Sequence, residues 1–543
     1  MGVEATTPNR QETTAATTAE PAKIEPTQAV TAEPPAPERL PVEEVRVSMA
    51  RVITAWGFGA SFFNLTAGAI YTSFARGLGA NDFIFGVLAA IAPLMSFLQV
   101  LSARLVEVAG RRKLQMMIAG IIGRSFWVVA ALLGLMTALF PHLLSKRQAL
   151  PLVIGCILIA GAFQAFTSTA FFSWMADLVP AQVRPAFFAR RMQVGTCVAM
   201  VTALAGGWIA DTYPHLWVYS AVLALAGIAG VLDTALFMGV REPVPSSTVA
   251  STDEAAAESD VKLSLFAGLA DSMREPWHDP AVRRFLRFVS LLWLGYGLQG
   301  AFLWLHLLEY LHLSKTQTGL VLNVAPLFGI LCTSRFWAAM IKRYGNRPVM
   351  RLCSAGLVLV PLGHLTAQPV SAGAFASWGM LMVMTFYSGS LACALELTNL
   401  NLMTSLAPHI PRSTMTAIYM ICVGLSMAAA SWGGGALAQW LSGIEYEFAG
   451  HTFINYHVLF LCALLVRLIN AAFFSYRLYE PGSTNTIEAI RDVAPEIAQS
   501  LSARVTWPFG VLPGIARSVA THIPLPFPTR AEEPDEDGEG VTG

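Results

Sequence analysis

The sequence predicts an all-α membrane protein with 12 transmembrane helices arranged as two pseudo-symmetric six-helix bundles. Three observations carry that expectation. Hydrophobic residues fill 55% of the 543 positions, whereas Asp, Glu, Lys and Arg fill only 13%; a soluble chain carries about 25%. No single globular core can hide so much apolar side chain, because cores stop growing and split into domains, so lipid is the solvent for most of the chain; the mean hydropathy is +0.54. The apolar residues also fall in runs of the roughly 20 residues that a helix needs to cross a bilayer. Finally, landmarks of the first half recur in the same order in the second.

Taken in order, residues 1–46 form a Thr-, Ala-, Pro- and Glu-rich tail. It lacks the large apolar residues a fold needs and is expected to be disordered. It also lacks the apolar core of a signal peptide. The first half, 47–240, holds spans at Val52–Ala75, Phe83–Ala103, Leu114–Leu139, Leu150–Ala176, Met192–Ala210 and Leu216–Met238. A polar central loop follows at 241–284, where Val261, Leu265 and Leu269 are spaced for one face of a surface helix. The second half, 285–481, holds spans at Phe285–Leu308 and Thr318–Ile341. A charge-free tract, Leu352–Leu395, is long enough for two more, divided at Pro369-Val-Ser-Ala-Gly373. Thr414–Leu441 and Phe453–Ser475 complete the twelve. The tail 482–543 carries a weak helical stripe (Ile487, Ile490, Ala494, Ile497, Leu501) interrupted by Pro495, and ends acidic.

An even number of spans places both termini on one side. Loops on that side carry Arg111, Arg112, Lys113, Arg184, Arg190, Arg191, Arg283, Arg284, Arg287, Lys342, Arg343, Arg347 and Arg412. The opposite loops carry only Arg76, Lys146, Arg147 and Lys315. The positive-inside rule therefore makes both termini cytoplasmic, in a plasma (inner) membrane. The repeat is visible at five points. Gly86 and Pro93 match Gly319 and Pro326; Gly110 matches Gly345; Pro180 and Arg184 match Pro408 and Arg412; Gly206-Gly207 and Ala210 match Gly434-Gly435 and Ala438; Glu242-Pro243 matches Glu480-Pro481. Parallel six-helix repeats are a transporter architecture, with the solute bound between the halves near mid-bilayer.

A charged knot between spans 2 and 3, Ala103-x-x-x-Glu107-x-x-Gly110-Arg111-Arg112-Lys113, has a looser copy at Ile341–Arg347. It resembles the loop 2–3 signature of the major facilitator superfamily, with Ala103 in place of that family's Gly and Glu107 in place of its Asp. The Pro180–Arg191 loop is similar to the family's loop 4–5. The resemblance covers about residues 47–481 and implies a transporter working by alternating access. It implies a cytoplasmic gate of Glu107, Gly110, Arg111, Arg112, Arg184, Arg343, Arg347 and Arg412, whose charge-assisted hydrogen bonds form when the other side is open. In the second copy Lys342 replaces the acid, so the acidic element belongs to the first half alone.

The resemblance further implies that spans 1, 4, 7 and 10 line the cavity. Charged groups inside a bilayer cost about 2.5–3.5 kcal/mol on insertion scales and so mark cavities or partners. The candidate substrate-binding residues on these spans are Asn64, Gln164, Thr167, Ser168, Tyr296, Gln299, Tyr387, Glu396 and Asn399. Gln164, Thr167 and Ser168 share one helix face, as do Glu396 and Asn399. Glu396 is the one embedded carboxylate on these spans, roughly 13 Å from the cytoplasmic end at 1.5 Å per residue, and is the candidate proton carrier. Arg124, Asp233 and Arg467 are embedded on peripheral spans, where a structural role is expected; the estimated depths of Arg124 and Asp233 differ by several Å.

No nucleophile–base constellation, phosphate-binding GxxxxGK[ST] loop or paired metal-ligand spacing occurs. That excludes enzyme classes and ATP-driven transport, and no cofactor is expected. The seven cysteines stand singly in apolar runs and read as small buried residues. The net charge is zero, which leaves no nucleic-acid footprint. The Gly-Pro motif of drug antiporters in this superfamily is missing from span 5, where Thr202-Ala-Leu-Ala-Gly-Gly207 stands. The expected function is secondary active transport of a small polar solute by a monomer in the lipid bilayer, with proton coupling through Glu396. The alternatives are an uncoupled facilitator and a transporter-like sensor.

Overall fold

The computed structural model describes residues 41–109, 111–180, 183–242, 276–369, 374–406, 410, 412–448, 451–478 and 480. The N-terminal tail as far as Leu40, the Val261–Met273 segment and the tail stripe from Ile487 to Leu501 lie outside the described residues, as do Gly110 and the side chains of Glu107 and Arg412.

Among the described residues, eleven helices are long and apolar enough to span a membrane. The twelfth is α1, whose apolar run is shared between two segments, Val42–Leu65 and Ala69–Gly77. The break falls at Thr66-Ala67-Gly68, where the Thr66 hydroxyl donates to the Phe62 carbonyl at 2.8 Å. Glu43 and Glu44 occupy the first turn of α1, where the helix dipole favours acids. The helix therefore starts inside the stretch that composition assigns to the tail.

In α2 (Asp82–Met95 and Leu98–Ala109), Asn81 caps the start by accepting from the Ile84 amide at 2.9 Å. Pro93 removes one helix donor, and the helix is interrupted a turn later at Ser96-Phe97. The half is completed by α3 (Arg112–Leu139), α4 (Lys146–Leu178), α5 (Arg184–Thr212) and α6 (Leu216–Leu236).

The second half starts at α7 (Pro280–Leu305), five residues before the expected span. Asp279 caps it by accepting from the Ala281 amide at 2.7 Å, and Pro280 sits at the first turn, where proline is pre-organised. A π-turn, His306–Tyr310, extends it. Next, α8 runs through Lys315–Gly319, a π-turn at Leu320–Val324 and Ala325–Tyr344. Then come α9 (Asn346–Gly356 and Leu359–Leu365), α10 (Ala374–Ser405) and α11 (Arg412–Trp440). A short antiparallel hairpin, β1 (Tyr446–Phe448) with β2 (His451–Phe453), pairs Tyr446 with Phe453. It precedes α12 (Asn455–Ile469, with a π-turn at Asn470–Phe474). The expected span from Phe453 begins two residues before the helix and overlaps the second strand at Phe453 alone.

The face where α1 begins and α12 ends is called the terminal face, and the opposite one the distal face. The halves meet along α2 against α11 and α5 against α8. Glycine makes both approaches close. A Cβ on Gly86 would stand 2.6 Å from the Ser431 carbonyl oxygen and 2.7 Å from the Gly435 Cα, and one on Gly207 would stand 2.8 Å from the Thr316 Cα. Backbones at such separations exclude any side chain, and dispersion and interhelical contacts are what hold helices together in lipid. One apolar cluster crosses between the halves toward the distal face, joining Ile70, Phe74 and Leu78 to Phe302, Leu305 and Phe460. Another, built on Phe285, Phe288, Met350 and Leu402, lies wholly within the second half toward the terminal face.

Candidate functional site

At the distal face the halves are joined by an ion cluster around Arg76, at the end of α1. Its guanidinium pairs with Asp82, the first residue of α2, and reaches across to Glu309 in the second half at 2.7 and 3.1 Å. It also donates to the Ala80 carbonyl at 2.7 Å and to the Tyr456 hydroxyl at 3.0 Å. That hydroxyl lies 3.0 Å from both Asp82 Oδ1 and Glu309 Oε2. Asn455 Nδ2 donates to Asp82 Oδ2 at 2.9 Å. The planar fork of arginine suits this multiple recognition. Both oxygens of the nearly buried Asp82 carboxylate thereby accept hydrogen bonds, which is the condition for such a pair to be tolerated.

A second bridge lies at the end of α5. Asp211 accepts from the Lys315 amide at 2.7 Å, the Thr316 amide at 2.9 Å and the Thr316 hydroxyl at 2.7 Å, while the Lys315 ammonium stands 3.8 Å away. One half thus supplies an acid to the helix N-terminus of the other, where unpaired amides and the dipole both favour an anion. Between the two bridges, Asn64, Gly68, Gly207, Trp304, Gly319 and Asn323 enclose a cavity the size of about one water. Asn323 sits in the π-turn of α8, an irregularity common at functional positions.

At the terminal face, Arg112, Lys113 and Glu480 each bond groups of their own half. Arg112 is buried and pairs with Asp177 at 2.6 Å and with the Ser173 carbonyl at 3.0 Å. Lys113 donates its amide to Glu242 at 3.1 Å and its ammonium to the Met238 and Val240 carbonyls at 2.8 and 2.7 Å. The second half repeats the arrangement: Glu480 accepts from the Asn346 and Arg347 amides at 3.2 and 2.7 Å. In both halves, then, an acid following the sixth helix caps the third. Arg184 bonds the nearby Val179 carbonyl, Arg343 stacks 5.1 Å from the Tyr344 ring, and Arg111 is exposed.

The residues expected to line a cavity separate into groups. Glu396 is exposed on α10, with the Tyr296 and Tyr419 hydroxyls within electrostatic reach. Asn64 binds the Ala199 carbonyl at 2.8 Å and Thr202 at 3.2 Å, fastening α1 to α5 at the edge of the small cavity. Gln164 and Ser168 are half-buried, and Ser168 bonds the Ala165 carbonyl at 3.1 Å. Thr167 turns inward, donating to the Phe163 carbonyl at 2.9 Å beside Gly120 of α3. Gln299 is buried against His364 of α9 at 3.2 Å. Tyr387 lies over Gly356 of α9. Asn399 is buried with its Oδ1 unpartnered. Tyr296 lies 4.9 Å under the Arg467 guanidinium, which donates to the Leu357 carbonyl at 3.1 Å. Thr167, Gln299 and Tyr387 therefore point into their own bundles, because a helix packed on several sides hides most of its polar faces from the central path.

Arg124 and Asp233 form a buried ion pair at 2.6 Å despite their estimated depths. The long arginine side chain spans the difference and also donates to the Gly230 carbonyl at 2.7 Å. The sequence shows Arg76 and Lys315 as isolated distal cations. Their partners Asp82, Asp211 and Glu309 are visible only if acids in the distal loops are counted too, which topology rules pass over because acids contribute little to orientation.

Comparison with known proteins agrees with this architecture. The sequence profile of the Major Facilitator Superfamily matches residues 47–370 and 288–525. No curated protein matches the sequence. Among solved structures, the nucleoside transporter NupG superposes with a TM-score of 0.57 at 11% identity, covering 80% of this chain and 100% of its own. The inward-open xylose transporter XylE from E. coli gives 0.57 at 15%, covering 82% and 99%. A bacterial homologue of the human lysosomal transporter Spinster, inward-facing and unoccupied, gives 0.54 at 14%, covering 81% and 100%.

Proposed function

The chain belongs to the major facilitator superfamily, a family of transporters, and on that premise we propose that it carries a small polar solute across the membrane by alternating access. The observation that carries this reading is the contrast between faces. The bridges of Arg76 and Asp211 join the halves at the distal face, whereas at the terminal face Arg112 pairs with Asp177 and Glu480 caps α9, each inside its own half. Taking the arginine-rich terminal face as cytoplasmic, this is a state open to the cytoplasm and closed on the other side. Rocking of the halves would break the distal bridges and let the terminal helix ends, with Glu107, Arg111 and Arg184, meet.

Glu396 is the proposed coupling site, because it is a carboxylate exposed on a span of the second half. Asn323 at the closed end of the path offers an amide suited to hydroxyl groups, beside Asn64, whose Nδ2 is already bonded to Ala199 and Thr202. A hydroxylated solute such as a sugar or nucleoside fits these groups, in keeping with the xylose and nucleoside carriers of the same fold. Purified protein in proteoliposomes tests the reading. A thermal-shift screen of sugars, polyols and nucleosides selects the solute, and an inward proton gradient should then drive its accumulation. Glu396→Gln should keep solute exchange and lose gradient-driven accumulation. Equilibration without accumulation in the wild type would make the protein a facilitator, and binding without flux would overturn transport.

A further inference from the structure

We propose that the terminal face of the second half carries a phosphate-binding site built by Arg284, Arg347 and Arg477. The three come from separate elements: the start of α7, the start of α9 and the turn after α12. With Tyr476 and Leu478 they line one open concavity of about 460 Å³, within the range of small-molecule sites. Among the described residues no carboxylate stands within ion-pair distance of any of them. The Arg347 Nε is buried and has no hydrogen-bond partner. Glu480, which follows α12, receives the Asn346 amide at 3.2 Å, the Asn346 side chain at 2.7 Å and the Arg347 amide at 2.7 Å.

The other half shows what is missing. Aligning Gly110 with Gly345 puts Arg112 opposite Arg347, and aligning Pro180 with Pro408 puts Asp177 opposite Ser405. Arg112 is neutralised by Asp177 at 2.6 Å. The second half keeps the arginine, replaces the acid with serine, and places Arg284 and Arg477 around it. Topology alone asks for cations on this face, but it does not ask three of them to converge on one hollow, where they repel each other unless an anion lies between. Phosphate is the anion whose geometry the guanidinium fork matches, with paired N–H···O bonds. Tyr476 is 64% exposed at the end of α12, the level at which aromatic residues meet lipid headgroups. A lipid phosphate and a soluble one share this chemistry.

Native mass spectrometry of the full-length protein, titrated with phosphatidylglycerol, phosphatidylcholine or inorganic phosphate, separates the cases. Phosphatidylglycerol should bind at least tenfold more tightly than phosphatidylcholine. Arg347→Gln and Arg477→Gln should each weaken it about tenfold, the loss expected for one charge-assisted hydrogen bond. Arg283→Gln, which removes the same charge beside the pocket, should leave binding unchanged. Lipid that millimolar phosphate fails to displace assigns the headgroup; phosphate binding that itself needs Arg347 assigns the soluble source. Either supports the site. Equal binding of both lipids with no phosphate binding, or an equal loss in Arg283→Gln, overturns it. If Arg347→Gln does not fold, Arg284→Gln and Arg477→Gln, both at exposed residues, carry the test.

Discussion

At the distal face Arg76 and Asp211 reach across the gap between the halves, while at the terminal face the Arg112–Asp177 pair and the Glu480 cap on α9 span gaps inside a half. The bonds are chemically alike: arginine to carboxylate, and carboxylate to helix N-terminus. Their consequences differ because a bond between rigid bodies biases the equilibrium between states, whereas a bond inside one body is present in both states and contributes to stability alone. A ligand or contact shifts an equilibrium only by its differential interaction with the two states. The same reasoning separates Asp82, which is held from both halves, from Asp177, which is held from one.

The largest expected effect tests the within-half side of this contrast. Arg124→Met leaves Asp233 buried without its ion-pair partner and should cost about 3–5 kcal/mol, read as a lower thermal unfolding midpoint in detergent. The double change with Asp233→Leu should recover most of it, and spin-label distances between the halves should not move in the double variant. Next comes the between-half side. Arg76→Gln removes the cation from between Asp82 and Glu309 and should disfavour the closed distal face by about 2–3 kcal/mol, the scale of a charged hydrogen-bond set. Electron-resonance distances across the distal ends of α1 and α7 should lengthen, with little change in unfolding midpoint; the reverse pattern would erase the distinction drawn here. The smallest effects form a matched pair. Asp211→Asn and Glu480→Gln each weaken a cap, worth about 1 kcal/mol. The first should raise distal accessibility to a cysteine reagent several-fold, whereas the second should lower stability of the second half without changing accessibility.

Some of this could be read along the chain. The spans, the order of the repeat and the family signature follow from hydropathy and spacing, since a bilayer demands long apolar helices whatever their neighbours. The equivalence of Glu242 and Glu480 was visible as a repeated Glu-Pro, but not its use as a cap on the third helix of each half. The break in α1 at Thr66–Gly68 and the hairpin at Tyr446–Phe453 leave no hydropathy signal, because both occupy stretches that remain largely apolar or are too short.

The sequence by itself determined that this protein is a twelve-helix membrane protein in two related halves, because those properties are local or periodic. Only the tertiary structure decided which polar groups face a partner bundle and which face their own. Gln299 and Thr167 have the composition of a binding site yet are spent on His364 and the Phe163 carbonyl, while Arg76 and Asp211, at helix ends, hold the two halves together. Pairings of this kind join residues more than 100 positions apart, such as Asp211 with Thr316 and Arg76 with Glu309. They depend on how rigid bundles dock, which no local pattern of residues encodes.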